Sequence, residues 1–139
     1  MATVDRVAAP ATARAERVRT ALLALGLTQL GLGAFMALAP GKFFDTIADY
    51  GIRNDHYLRD LATFYLALGV VLMVASDRRS WRAPVLAFAV IQYGLHTLNH
   101  LLDIGDADPG WIGPFNFVSL AVFTALFVYV LRAQAQLRR

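Results

Sequence analysis

The sequence contains no cysteine. Disulfides, thiolate metal sites, iron–sulfur ligation and a cysteine nucleophile are therefore excluded. Charge is scarce as well. Asp, Glu, Lys and Arg make up 17% of the 139 residues, against about 25% in an average soluble domain. The scarcity is uneven: four long blocks carry almost no charge, and the segments between them are too short for a soluble domain. A glycine-rich nucleotide loop has no place inside such apolar blocks. Ser119 and Thr124 have no histidine placed to activate them, so a serine hydrolase is unsupported.

What the chain does have is apolar length. Hydrophobic residues make up 58%, and the mean hydropathy is +0.50. Thr20 to Gly41 carries no charge and, at about 1.5 Å per residue, is long enough to cross a hydrocarbon core about 30 Å thick. Pro40-Gly41 ends it, because proline disfavours helix in the residue before it and glycine suits a reversal. Ala37-Leu38-Ala39 resembles a signal-peptidase site. The length of the stretch, Gln29 within it and Pro40 just after the cut argue against cleavage. Phe43, Phe44, Ile47 and Tyr50 recur at helical spacing among Lys42, Asp45 and Asp49, which predicts a short amphipathic helix at headgroup level. Asn54 or Asp55 is placed to cap the next helix.

The second block, Leu61 to Ser76, is only about 24 Å long by helical rise and must borrow the preceding turn. Asp77 to Ser80 reads as a tight turn. Ala83 to Leu102 is the third block, with Pro84 in its first turn, where proline is tolerated. Asp103 to Gly110 is an acidic turn, and Trp111 to Leu131 is the fourth block, with Trp111 and Tyr129 near its ends as an aromatic belt would place them. The expectation is an all-α, four-helix transmembrane bundle with a short interfacial helix between spans one and two. The spans fall at about 20–40, 57–76, 83–102 and 111–131, between an N-terminal tail over 1–19 and a C-terminal tail over 133–139.

Charge sets the expected orientation. Arg6, Arg14, Arg17, Arg19, Arg78, Arg79, Arg82, Arg132, Arg138 and Arg139, ten of the 13 basic residues, fall before span one, between spans two and three, or after span four. The other connections hold Asp45, Asp49, Asp55, Asp60, Asp103, Asp106 and Asp108, seven of the 10 acids. By the positive-inside rule both termini are cytoplasmic in a cell (inner or plasma) membrane. This topology accounts for the net charge of +3 without a nucleic-acid partner.

All three histidines fall toward the acidic side. His96 and His100 are four apart and share a helical face, which Gln92, Asn99 and Asp103 extend. His56, Asp60 and Thr63 form a similar stripe on span two, with Arg59 adjoining. If the stripes face each other, they make one outward-facing ligand site of His56, Arg59, Asp60, Gln92, His96, Asn99, His100 and Asp103, with Asn116 at its edge. Three chemistries fit this set. One is structural: hydrogen bonds between helices near the boundary, in an accessory protein without chemistry of its own. Another is a divalent metal on His56, His96, His100 and Asp103, since imidazole and carboxylate suit zinc, copper, nickel or iron. The third is a quinone or lipid whose polar head meets the cluster, a histidine exchanging a proton with it. Haem between His56 and His96 or His100 is a lesser variant. His96 and Gln92 lie deepest, and polar groups at depth in a span mark function by default. Spans one and four carry almost no charge to line a path, which disfavours a transporter.

The layout resembles the DoxX-like group of small four-helix prokaryotic membrane proteins. The matching features are the size, the four spans, the Gly-rich first helix (Leu30-Gly31-Leu32-Gly33), and the Ala39-Pro40 ending followed by an aromatic interfacial segment. The resemblance implies a membrane subunit in a redox or stress system, with quinone or thiosulfate chemistry nearby and a membrane or redox protein as partner. It carries over no functional residue. Asn54-Asp55-His56 and His96-Thr97-Leu98-Asn99-His100 are features of this sequence that it does not explain.

Overall fold

A computed structural model describes residues 5–137, and side chains from Thr12 onward. The expected tail ends Met1–Val4 and Arg138–Arg139, and the Arg6 side chain, lie outside the described residues. The chain is all helical there: α1 (Asp5–Leu38), α2 (Pro40–Phe43) running into a π-helical turn (Phe44–Ala48), α3 (Asp55–Asp77), α4 (Arg79–Leu102) and α5 (Ile112–Gln136). The four long helices have the length and apolarity of membrane spans.

Local chemistry sets most of the ends. Ala39 leaves the helical region and Pro40 opens α2 at its first position, where its missing N–H is not needed. Asn54 caps α3, its side chain accepting from the Tyr57 N–H at 3.0 Å. Two boundaries depart from the sequence expectation. α1 runs unbroken from Asp5, so residues 5–19, expected as a tail, continue the first span as helix. α4 starts at Arg79, so Pro84 sits inside the helix and only Arg78 separates α3 from α4. Arg82 makes this tight turn workable. It is 4% exposed, and its guanidinium donates to the Ala75 carbonyl at 3.0 Å and to the Ser76 carbonyl. Those carbonyls end α3 and have no partner within the helix. Arg82 is thus a helix cap as well as a basic residue of that end.

α1 and α3 pack through small residues. A Cβ on Gly26 would stand 3.0 Å from the Gly69 carbonyl, and one on Gly33 would stand 3.0 Å from the Ala62 carbonyl. Gly26 and Gly33 are seven apart, as are Ala62 and Gly69. The two helices therefore meet antiparallel along one seam with a heptad period. Gly26, Gly33 and Gly69 are what permit this close approach. At Gly31 and Gly94 a Cβ would meet nothing within 4 Å. In the middle of the bundle α4 is tied to α1 by Tyr93, whose hydroxyl donates to Gln29 Oε1 at 2.6 Å. Both residues are almost fully buried.

A polar network at the acidic end

α4 carries the centre of the candidate site. Its buried face is Arg82, Leu86, Ala89 and Tyr93. At about 100° per residue, His96 and His100 lie at the edge of that face and turn inward. Their Nε2 atoms are 3.1 Å apart and share a hydrogen bond. His100 Nδ1 shares another with the Tyr50 hydroxyl at 2.9 Å, and Tyr50 sets its ring edge-on to the imidazole. Asn116 of α5, itself 7% exposed, donates from Nδ2 to the Ile47 carbonyl at 2.6 Å and to the Tyr50 hydroxyl at 3.3 Å. At the inner end His96 Nδ1 shares a longer contact of 3.4 Å with the Tyr65 hydroxyl of α3. The result is a chain, Tyr65–His96–His100–Tyr50–Asn116, drawn from α3, α4, the interfacial segment and α5.

Each imidazole and hydroxyl in this chain both donates and accepts. The intermediate bonds can all run outward or all run inward, and either arrangement leaves every imidazole neutral. Between Tyr65 and Tyr50 a proton can pass with little movement of heavy atoms, while Asn116, whose Nδ2 only donates, anchors Tyr50 and relays none. The Asp108 N–H, which donates to the Asp49 carbonyl at 3.0 Å, holds the interfacial segment against the α4–α5 turn. That fixes Tyr50 beneath His100.

The sequence-predicted residues divide three ways. His96 and His100 are in the chain, and Asn116 joins it through Tyr50. Asn99 and Asp103 flank it, Asn99 Nδ2 donating to Asp103 Oδ2 at 3.3 Å. His56, Arg59 and Asp60 do not converge with the rest: all three are exposed, and His56 Nε2 lies 3.4 Å from Asp60 Oδ2 on the surface. The reason is rotational. α3 buries Leu58, Ala62, Tyr65, Leu68, Gly69 and Leu72, and His56, Asp60 and Thr63 point roughly opposite to that stripe. The expected facing of two polar stripes is thus corrected, since α3 contributes Tyr65 instead. The expected metal set His56, His96, His100 and Asp103 is not gathered, and no group of three or more His or acidic side chains among the described residues is placed to hold an ion.

Gln92 takes a separate position, one turn inward of His96 on the same face. Its Oε1 is buried and has no hydrogen-bond partner. One turn further inward is Phe88, which borders an apolar groove of ≈ 520 Å³ between α3 and α4. Phe64, Leu68 and Val71 line it from α3, with Trp81, Val85 and Phe88 from α4. Phe64 packs edge-on against Tyr65, so the groove ends beside the inner end of the chain.

Sequence reasoning missed Tyr50, Tyr65 and the Gln29–Tyr93 pair as polar partners. Their rings satisfy the apolar pattern, so each reads as core or interfacial filler until a hydroxyl is given a neighbour. The available signal was the depth of Gln29: a glutamine in mid-span needs a donor or acceptor from another helix.

No protein-family model, no curated protein and no solved structure matches the chain.

Proposed function

We propose that this is a multi-pass membrane subunit with cytoplasmic termini that binds the head of a small lipid-soluble molecule at the outer, acidic end of the bundle. The buried, unpartnered Gln92 Oε1 carries this reading. A buried polar atom without a partner is an exception that calls for one, and Gln92 lies on α4 one turn from Phe88, which lines the apolar groove, and one turn from His96 of the polar chain. A quinol suits the position best. Its hydroxyl would donate to Gln92 Oε1, its apolar tail would lie along Phe64, Leu68 and Phe88, and the Tyr65–His96–His100 chain would exchange protons with it. A groove of ≈ 520 Å³ falls in the ordinary range for small-molecule sites, about 300–1,000 Å³. The DoxX-like resemblance supports placing such a subunit in a redox or stress system.

The test is lipid extraction and mass spectrometry of protein purified in mild detergent. Wild type should retain quinol, read as total quinol plus quinone, and Gln92→Leu and the groove-filling Ala67→Trp should both lose most of it. Equal total content in all three would sink the proposal. The second reading, a structural accessory protein, is favoured by one observation: His96, His100, Tyr50 and Asn116 already satisfy one another. It wins if the His96→Ala, His100→Ala double variant folds with every bound species and cellular phenotype unchanged.

A further inference from the structure

The opposite, basic end of the bundle holds a cavity with different chemistry. It lies between α1 and α5 and has a volume of ≈ 290 Å³. Arg14 and Arg17 reach it from α1 and Arg132 from α5, and no acidic residue lines it. Val18 and Val130, 2% and 3% exposed, form an apolar floor, and Tyr129 stands at its side. The ion pair at this end is Arg19 with Asp77 at 3.1 Å. Arg14, Arg17 and Arg132 form none among the described residues.

Depth decides what such a cavity would hold. Arg17 and Arg14 precede Thr20, the start of the charge-free block, by about 4.5 and 9 Å of helix. Arg132 follows Leu131, the last residue of the fourth apolar block. The headgroup layer is about 5–8 Å thick on each side of the hydrocarbon, so the three guanidinium groups fall near phosphate level. The positive-inside rule asks only that basic residues be on this side. It does not ask that three of them, from two helices, surround one acid-free cavity. Guanidinium forks match phosphate oxygens, and basic pockets between spans suit anionic headgroups. A soluble anion would make no use of the apolar floor.

We propose that Arg14, Arg17 and Arg132 bind the phosphate of an anionic phospholipid, its acyl chains running down past Ala21 and the exposed Tyr129. The site rests on the membrane reading and is independent of the ligand at the other end. The experiment places the full chain in nanodiscs of phosphatidylcholine with or without phosphatidylglycerol. Bound lipid is read by native mass spectrometry and thermal unfolding. Wild type should retain phosphatidylglycerol over phosphatidylcholine and melt higher in its presence. An Arg14→Gln, Arg17→Gln, Arg132→Gln variant should retain it on the order of a hundredfold less. Arg78→Gln with Arg79→Gln, two exposed charges on the same end, should retain it as wild type does. Equal retention of the two lipids by wild type overturns the proposal without any variant. So does an equal loss in the Arg78, Arg79 control, which would mean diffuse surface charge. Inorganic phosphate stabilising the protein equally in phosphatidylcholine would make this a soluble-anion site and overturn the lipid source. A chain that never enters the nanodisc would remove the membrane reading itself.

Discussion

α3 meets its two neighbours in contrasting ways. Against α1 it brings backbone to backbone, with Gly26, Gly33 and Gly69 leaving no room for even a methyl group without a shift. Against α4 it leaves a groove, crossed by Phe64 and Phe88 with ring centroids 5.9 Å apart, and relies on polar bonds at the two ends. Arg82 caps α3 at the basic end, and Tyr65 meets His96 toward the acidic end. In hydrocarbon, apolar side chains gain little by leaving lipid, so helices associate through close packing or through hydrogen bonds. One interface of α3 uses the first, the other mainly the second. Only the second has space for a guest.

The largest expected effect breaks the packed seam. Gly69→Leu forces a side chain where a Cβ alone would stand 2.9 Å from the Gly26 carbonyl and 2.7 Å from Leu30. Overpacking of this kind costs about 1–3 kcal/mol or more, so detergent-purified protein should melt far lower or aggregate in size exclusion. Gly31→Ala, which meets nothing within 4 Å, should behave as wild type. The next effect tests the polar attachments. Arg82→Met removes two bonds from a charged donor to the end of α3 and should lower stability by about 2 kcal/mol, read as a shift in thermal unfolding. Tyr93→Phe leaves Gln29 Oε1 without its donor at mid-span. About 1 kcal/mol is expected, near the upper part of the range measured for bonds within membranes.

Smaller effects sharpen the comparison at the acidic end. Asn116→Leu frees Tyr50 and the Ile47 carbonyl, so hydrogen exchange should quicken in the interfacial segment while the α1–α3 seam stays protected. Equal quickening in both would show that the two regions are not separable. His56→Ala should be nearly silent, within about 0.5 kcal/mol, because its pair with Asp60 is exposed. A loss of bound quinone in His56→Ala would reinstate α3's outer stripe as part of the site.

The particular residues show how far the sequence could be read. The four spans, the break at Pro40 and the Asn54 cap were legible, since each depends on local composition or on one side chain meeting its own backbone. The α1–α3 seam was half legible: the glycines stood out, but the seven-residue spacing becomes a seam only when Ala62 and Gly69 supply the matching period on α3. His96 and His100 were legible as a pair because four residues on a helix fix their separation. His56 misled, because its distance in space from them depends on how α3 is rotated, and that is set by Leu58, Ala62 and Tyr65 packing elsewhere.

By itself the sequence determined the number of the spans and their approximate positions, the segregation of basic from acidic ends, and the face shared by His96 and His100. These follow from hydrophobicity and from the period of a helix, both of which act within a segment. The tertiary structure alone decided that Tyr50, Tyr65 and Asn116 complete the polar chain, that Arg82 serves as a cap, and that Gln92 Oε1 is buried without a partner. Each of those depends on groups that meet only once the helices are packed, and residues up to 69 positions apart supply the bonds.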